Sequence, residues 1–241
     1  MAKEKNDIKI LLLQFRPAPK TRVQELQCFN KCSGLRPEQI TARHFLDAGF
    51  GLNGIKNYDA IILGGTGDFS VREFQKKYPE AYEKLKKIAE YTRANNVPVL
   101  TVCMQFWAIL FGGEVATDAS RQEVGTYKIF LTKEAKGDPL FYDMPDEFLG
   151  QLGHKDHVSK LPKGAVCLAY SERCPVEAYR LDNTYFCQTH PELDTASMME
   201  RLNTYQNYVA DDEYERVISS LRETPENNSL LKKWIERTVL K

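Results

Sequence analysis

The chain has 241 residues, enough for one good-sized domain or two small ones. Hydrophobic residues make up 42% and charged residues 27%, and Lys+Arg and Asp+Glu both number 33. This composition is that of an ordinary globular protein, and the zero net charge argues against a nucleic acid or an anionic membrane as partner.

No apolar run is long enough to span a bilayer. The first ten residues, MAKEKNDIKI, are charged and carry neither an apolar h-region nor a signal cleavage site. Six cysteines without a secretory signal read as reduced thiols in a cytoplasmic protein. Cys28 and Cys32 are four apart, and Cys167 and Cys174 seven, so CxxC spacing is absent and neither metal nor cofactor is expected.

Ile8–Phe15 reads as a first buried strand, and the following RPAPK as a loop. A helix is expected over Thr21–Lys31, with Thr21 as its cap. A strand is expected within Pro37–Leu46, and a stronger one over Tyr58–Leu63, followed by the glycine-rich GGTGDFS. Glu80–Asn95 is a charged amphipathic helix leading into Val97–Val102, a continuous apolar run that fits a strand buried on both faces. Cys103 comes next. Met104–Phe111 can continue as a buried helix, which Gly112-Gly113 would end. A cysteine on a turn between buried strand and helix meets free N–H groups that favour a thiolate, a good place for a nucleophile.

Beyond Gly113 the expected strands are Val124–Thr132 and Val166–Tyr170. Glu177–Leu181 and Tyr185–Thr189 follow as a hairpin across Asp182-Asn183. Asp194–Tyr208 and Asp211–Leu221 read as helices, Pro225 as a break, and Ser229–Leu240 as a last amphipathic helix. The aromatic Tyr205–Tyr214 segment reads as a helix-docking surface. Strand–helix alternation in the first half predicts an α/β protein with a doubly wound, mostly parallel sheet flanked by helices and a small antiparallel hairpin portion. One domain over residues 1–241 is expected, with about 200–241 as a helical extension.

A cysteine nucleophile needs a base, and the base an orienting group. His190 directly follows an expected strand, in QTHPEL, and Glu192 lies two residues on, with Pro191 fixing the backbone between them. Cys103 and His190 would both sit at strand carboxyl ends, where ligands collect in open α/β sheets. The same residues also fit a surface turn and a buried core thiol. GGTGDFS fits either an N–H aimed at an oxyanion or a tight turn. His154, Asp156 and His157, in GHKDHV, are too few and too irregular for a metal site and read as a polar loop near the site.

In order along the chain, YDAIILGGTGDFS, PVLTVCMQFWAILFGGEV, RQEVGTYKIFLT, GHKDHVSKLPKGA, CPVEAYRL and QTHPEL resemble the class I glutamine amidotransferases. The resemblance is closest to stand-alone proteins similar to the glutaminase domain of GMP synthase. It implies Cys103 as nucleophile, His190 as base and Glu192 as its orienting carboxylate. The N–H groups of Gly65 and Met104 would serve as oxyanion donors, and Gly67, Trp107 and His154 would lie around the substrate. It also implies a small γ-glutamyl substrate, glutamine or an analogue, and a synthase partner that accepts ammonia. The family elbow reads G-x-C-x-G with Gln four residues after the cysteine. Here Thr101, Gln105 and Trp107 hold those positions, and Lys155 stands where Gly is usual. These departures keep two further readings open: a γ-glutamyl peptidase or hydrolase acting on something other than glutamine, and a catalytically silent binding module.

Overall fold

The computed structural model describes residues 3–47, 51–67, 70–205, 209 and 211–241. Strands β1 (Ile10–Gln14), β2 (Ile40–His44), β3 (Ala60–Leu63), β4 (Val99–Val102) and β11 (Thr184–Cys187) run parallel, in the order β2-β1-β3-β4-β11. The sheet continues with β10 (Ala178–Leu181), β9 (Val166–Tyr170), β6 (Glu123–Leu131) and β7 (Glu147–His154), all paired antiparallel. A separate ribbon pairs β5 (Glu114–Thr117) with β8 (Asp156–Lys160). The antiparallel portion is thus larger than the expected β10–β11 hairpin, whose turn uses Asp182 at φ +53°.

The parallel strands are apolar throughout because both faces are covered, and their alternation sorts side chains to two cores. Ile10, Leu12, Ile62, Leu100 and Val102 face one core, shared with Phe29 of α1 (Pro19–Ser33) and with Leu230, Leu231 and Trp234 of α8 (Pro225–Trp234). Leu11, Leu13, Ile61, Leu63 and Val99 face the other. That side is filled by Phe74 of α3 (Val71–Lys77), Leu85 and Ile88 of α4 (Pro79–Ala94), and Phe106 and Trp107 of α5 (Phe106–Leu110). Each such fully buried side chain contributes about 1.5–3 kcal/mol, so Leu12→Ala costs about 2–5 kcal/mol.

Several boundaries differ from expectation. Helix α1 starts at Pro19, which sits at N1, where its missing N–H costs nothing; Thr21 is inside the first turn and donates to the Ala18 carbonyl at 2.8 Å rather than capping. Pro225 likewise opens α8 instead of breaking a helix, and a π-helical turn, Ile235–Val239, follows it. The four-residue helix α2 (Leu52–Ile55) bridges β2 and β3. GHKDHV is not a loop: His154 ends β7, Asp156 and His157 open β8, and only Lys155 lies between. Helices α6 (Thr195–Thr204) and α7 (Asp211–Ser220) stand where helices are expected, with Asp194 capping α6 through the Ser197 N–H. Residues 206–208 and 210 of the expected Tyr205–Tyr214 docking segment lie outside the described residues, as do Asp68 and Phe69 of GGTGDFS.

Candidate active site

Strand β4 delivers Cys103 to the carboxyl edge of the sheet. Its register with β11 pairs Val102 with Cys187, and the Cys103 N–H donates to the Cys187 carbonyl at 2.8 Å. The next backbone turn is sharp: Cys103 has φ +49°, a left-handed conformation that a non-glycine residue adopts at a cost of about 1–3 kcal/mol. Strand β11 ends at Cys187, three residues before His190, so the parallel register carries the histidine to the same edge.

His190 Nδ1 lies 2.8 Å from Glu192 Oε1, and both side chains are almost wholly buried. The turn that carries them is fixed by α8. Asn227 donates to the His190 carbonyl at 3.1 Å and accepts from the Thr189 hydroxyl at 2.7 Å. Asn228 donates to the carbonyls of Pro191 and Leu193 at 3.0 and 2.9 Å. Sequence reasoning missed these two asparagines, because nothing local to TPENNS shows that it packs beneath a turn more than 30 residues earlier.

Gly65 follows β3 and faces the same edge. A Cβ there would lie 3.0 Å from an Arg16 amino nitrogen and 3.6 Å from His190 Cε1, so a side chain at this position would crowd both. Gly67, at φ +64°, needs a conformation that glycine adopts freely. Arg16, Gly65, Gly67, Cys103, Gln105 and His190 border a single cavity of about 500 Å³, which extends to Tyr205. Arg16 is buried and bonds Glu25 at 2.9 Å, with Tyr205 Oη at 3.4 Å.

The Cys103 thiol is not set as the helix-terminus argument expects. Burial pushes the Cys103 thiol up to about 12, against the opposing pull of Arg16 and of the Gln105 hydrogen bond. Helix α5 starts only at Phe106 and is five residues long, so it offers the sulfur little dipole. Cys103 Sγ accepts from Gln105 Nε2 at 3.6 Å and donates to the Gly153 carbonyl at 3.9 Å; it makes no hydrogen bond to His190. Burial at this position thus favours the thiol over the thiolate.

Two residues expected around the substrate, Trp107 and His154, stand elsewhere. Trp107 is fully buried in the core beside α4, its ring 5.6 Å from that of Phe111, and does not border the cavity. A position four residues after the cysteine lies one helical turn on, and here that turn faces inward. His154 is also buried behind the wall, with Nε2 3.2 Å from Glu123 Oε2. The Met104 side chain is in the core, while its backbone directly follows Cys103. Gln105, in contrast, reaches the cavity and ties Cys103 Sγ to the Asp156 carbonyl, which it meets at 3.1 Å.

A strand, a sharp cysteine turn and a histidine–glutamate pair just beyond the adjacent parallel strand meet at one edge of an α/β sheet. The model of the family described as glutamine amidotransferase class-I matches residues 39–203. The chain is 36% identical over 142 residues to one of the subunits of the glutamine-hydrolyzing GMP synthase of Methanocaldococcus jannaschii, covering 57% of this chain and 66% of that one. It is 33% identical over 158 residues to the glutamine-hydrolyzing GMP synthase of Thermosipho africanus, covering 64% of this chain but only 28% of the relative. The chain therefore spans just under two thirds of the first of these relatives and about a quarter of the second. A solved glutamine amidotransferase from Thermotoga maritima superposes with a TM-score of 0.78 at 18% identity, covering 97% of this chain and 99% of that one. The chain belongs to the class I glutamine amidotransferase family and is similar to the glutamine-hydrolyzing part of GMP synthase.

Proposed function

We propose that the chain is a cysteine-dependent amidohydrolase that cleaves a γ-glutamyl amide, glutamine in the first instance, to the γ-carboxylate and an amine or ammonia. The observation that carries this reading is the convergence of Cys103, Gly65 and the Glu192-oriented His190 on one cavity.

His190 takes the Cys103 proton as substrate binds, and the sulfur leaves the Gly153 carbonyl to attack the carboxamide carbon. The resulting oxyanion is met by the Gly65 and Met104 N–H groups, each worth roughly 3–4 kcal/mol of barrier. Collapse expels the amine, protonated by His190, and leaves a γ-glutamyl thioester. Water, deprotonated by His190, then hydrolyses it and restores the thiol. Glu192 accepts from Nδ1–H throughout, fixing the tautomer and stabilising the imidazolium. Arg16 supplies positive charge at the cavity wall, suited to a substrate carboxylate. Ammonia released here would serve a synthase partner, as the relatives' names suggest for them.

An electrophilic diazo-ketone analogue of glutamine tests the assignment. It should label Cys103 and abolish turnover in proportion; turnover that survives complete Cys103 labelling would contradict it. A second reading, hydrolysis of γ-glutamyl peptides, finds no support in Trp107, which lies outside the cavity. It draws instead on Gln105, which occupies the cavity where the family elbow has Gly, and on the cavity's extension to Tyr205.

A further inference from the structure

Behind the cavity wall lies a second chemical cluster with no part in the proposed reaction. Glu123 opens β6, His154 ends β7, Cys174 stands on the turn after β9, and Glu177 directly precedes β10. All four are buried, and one ligand atom from each lies within 4.8 Å of every other. Among the described residues this is the group of histidine, cysteine and carboxylate side chains that meets so closely.

The hydrogen bonding of the cluster is incomplete on its inner side. His154 Nδ1 faces the Asp156 carbonyl at 3.1 Å, and a carbonyl can only accept, so Nδ1 carries the proton. In the neutral ring Nε2 is then a lone pair, and it points at Glu123 Oε2, another acceptor, at 3.2 Å. Both oxygens of Glu177 are buried and meet no donor. Glu123 Oε1 is satisfied from outside by the Ser171 hydroxyl at 2.9 Å. Four potential electron-pair donors thus face one another, and His154 pairs with Glu123 as an ion pair only when its ring carries a second proton. Such an arrangement calls for protons shared among the donors or for a cation.

We propose that Glu123, His154, Cys174 and Glu177 form a structural site for Zn²⁺ or a similar borderline-soft divalent cation. A cysteine, a histidine and two carboxylates suit zinc, and four protein ligands with no open position define a structural rather than a catalytic centre. Bond lengths of about 2.0–2.3 Å place tetrahedral ligand atoms ~3.3–3.8 Å apart, so the cluster closes by about an ångström on loading. The outer contacts match a metal's supporting shell: a carbonyl holds His154 Nδ1–H, and a hydroxyl holds Glu123. Cys174, whose thiol donates to the Arg121 carbonyl at 3.3 Å, would lose that proton to solvent on binding, as would any proton shared by the carboxyls. The bound ion would tie β6, β7 and the 171–177 turn together. It would also stiffen the Gly153–Asp156 segment, whose carbonyls meet Cys103 and Gln105.

Co²⁺ titration of chelator-treated full-length protein tests this directly. One equivalent should bind and give an intense near-ultraviolet thiolate-to-cobalt band, with tetrahedral visible bands, and Zn²⁺ should displace it. Cys174→Ser should lose the near-ultraviolet band, whereas Cys103→Ala should keep it. Glu177→Gln, which keeps the side-chain shape, should bind at least tenfold more weakly. Zn²⁺ should raise the Tm of wild type but not of Cys174→Ser. Absence of a saturable one-equivalent complex in the wild type would overturn the site and identify a proton-sharing carboxyl pair, whatever the variants do. A complex whose thiolate band survives Cys174→Ser would overturn it equally.

Discussion

His190 and Glu192 are separated by a single proline, yet their side chains meet at 2.8 Å with both groups buried. Pro191 restricts the backbone between them, and Asn227 and Asn228 hold the carbonyls on either side. The pair is therefore preorganised before any substrate arrives. Glu192→Gln keeps the shape but replaces the carboxylate that fixes the imidazole tautomer. Its kcat should fall on the order of 10²–10⁴-fold with an unchanged circular dichroism spectrum. A fall under tenfold would remove Glu192 from the proposed triad.

The same carboxylate has a pH signature. Burial alone would raise its pKa, but His190 and Arg201 outweigh burial and hold it below the usual 4.5. A depressed carboxylate stabilises the fold above its unfolded pKa, and this contribution is lost as pH falls below about 4.5. Denaturant unfolding of wild type from pH 6 to about 3 should show that loss below about pH 4.5, and Glu192→Gln should show a shallower slope there. Parallel slopes would contradict the assignment.

Asn227→Ala removes one donor to the His190 carbonyl and strands the buried Thr189 hydroxyl. A stability loss of about 1–3 kcal/mol is expected, with kcat falling more than KM rises. A variant with wild-type kcat would show that the α8 clamp is structural only.

Gln105 is the departure from the family elbow that touches the Cys103 sulfur. Its amide contact opposes the burial that lifts the Cys103 thiol to about 12. Gln105→Ala should therefore shift the pH dependence of Cys103 alkylation upward and slow iodoacetamide at neutral pH. Faster alkylation would mean that Gln105 shields the thiol rather than polarising it.

Arg16 and Glu25 form an ion pair with side chains 5% and 0% exposed, in contrast to the exposed Lys31–Asp194 pair. Glu25→Leu removes the ion-pair partner of a buried guanidinium and should cost about 3–5 kcal/mol, whereas Asp194→Asn should cost about 0–1 kcal/mol through the ion pair. Similar losses in urea unfolding would contradict this ranking. Gly64→Ala should act through the same carboxylate, because its Cβ would come within 2.7 Å of Glu25 Oε1.

Much of the scaffold is legible in the sequence because it is locally written. The apolar runs of β1, β3 and β4 carry the period of doubly covered strands, and Asp182-Asn183 marks the β10–β11 hairpin. The elbow and His190–Glu192 are legible because each stands immediately beyond such a run. What fails needs tertiary information. His154 and Asp156 look polar enough for a loop, but each is buried by partners elsewhere in the chain. The offset of Trp107 from the cysteine suggests a place beside the substrate, whereas the direction in which α5 faces decides its neighbours. The Glu123–His154–Cys174–Glu177 cluster joins three separate segments, and no spacing within any of them announces it.

The most direct test of the account is release of ammonia from glutamine by wild type and Cys103→Ala, with a γ-glutamyl dipeptide assayed alongside. Wild type should hydrolyse a γ-glutamyl amide at a rate that falls at least about 10³-fold in Cys103→Ala. Glutamine turnover would identify a working glutaminase, and turnover of the dipeptide alone a γ-glutamyl hydrolase. Hydrolysis that persists in Cys103→Ala, or no hydrolysis of either substrate by the wild type, would contradict it.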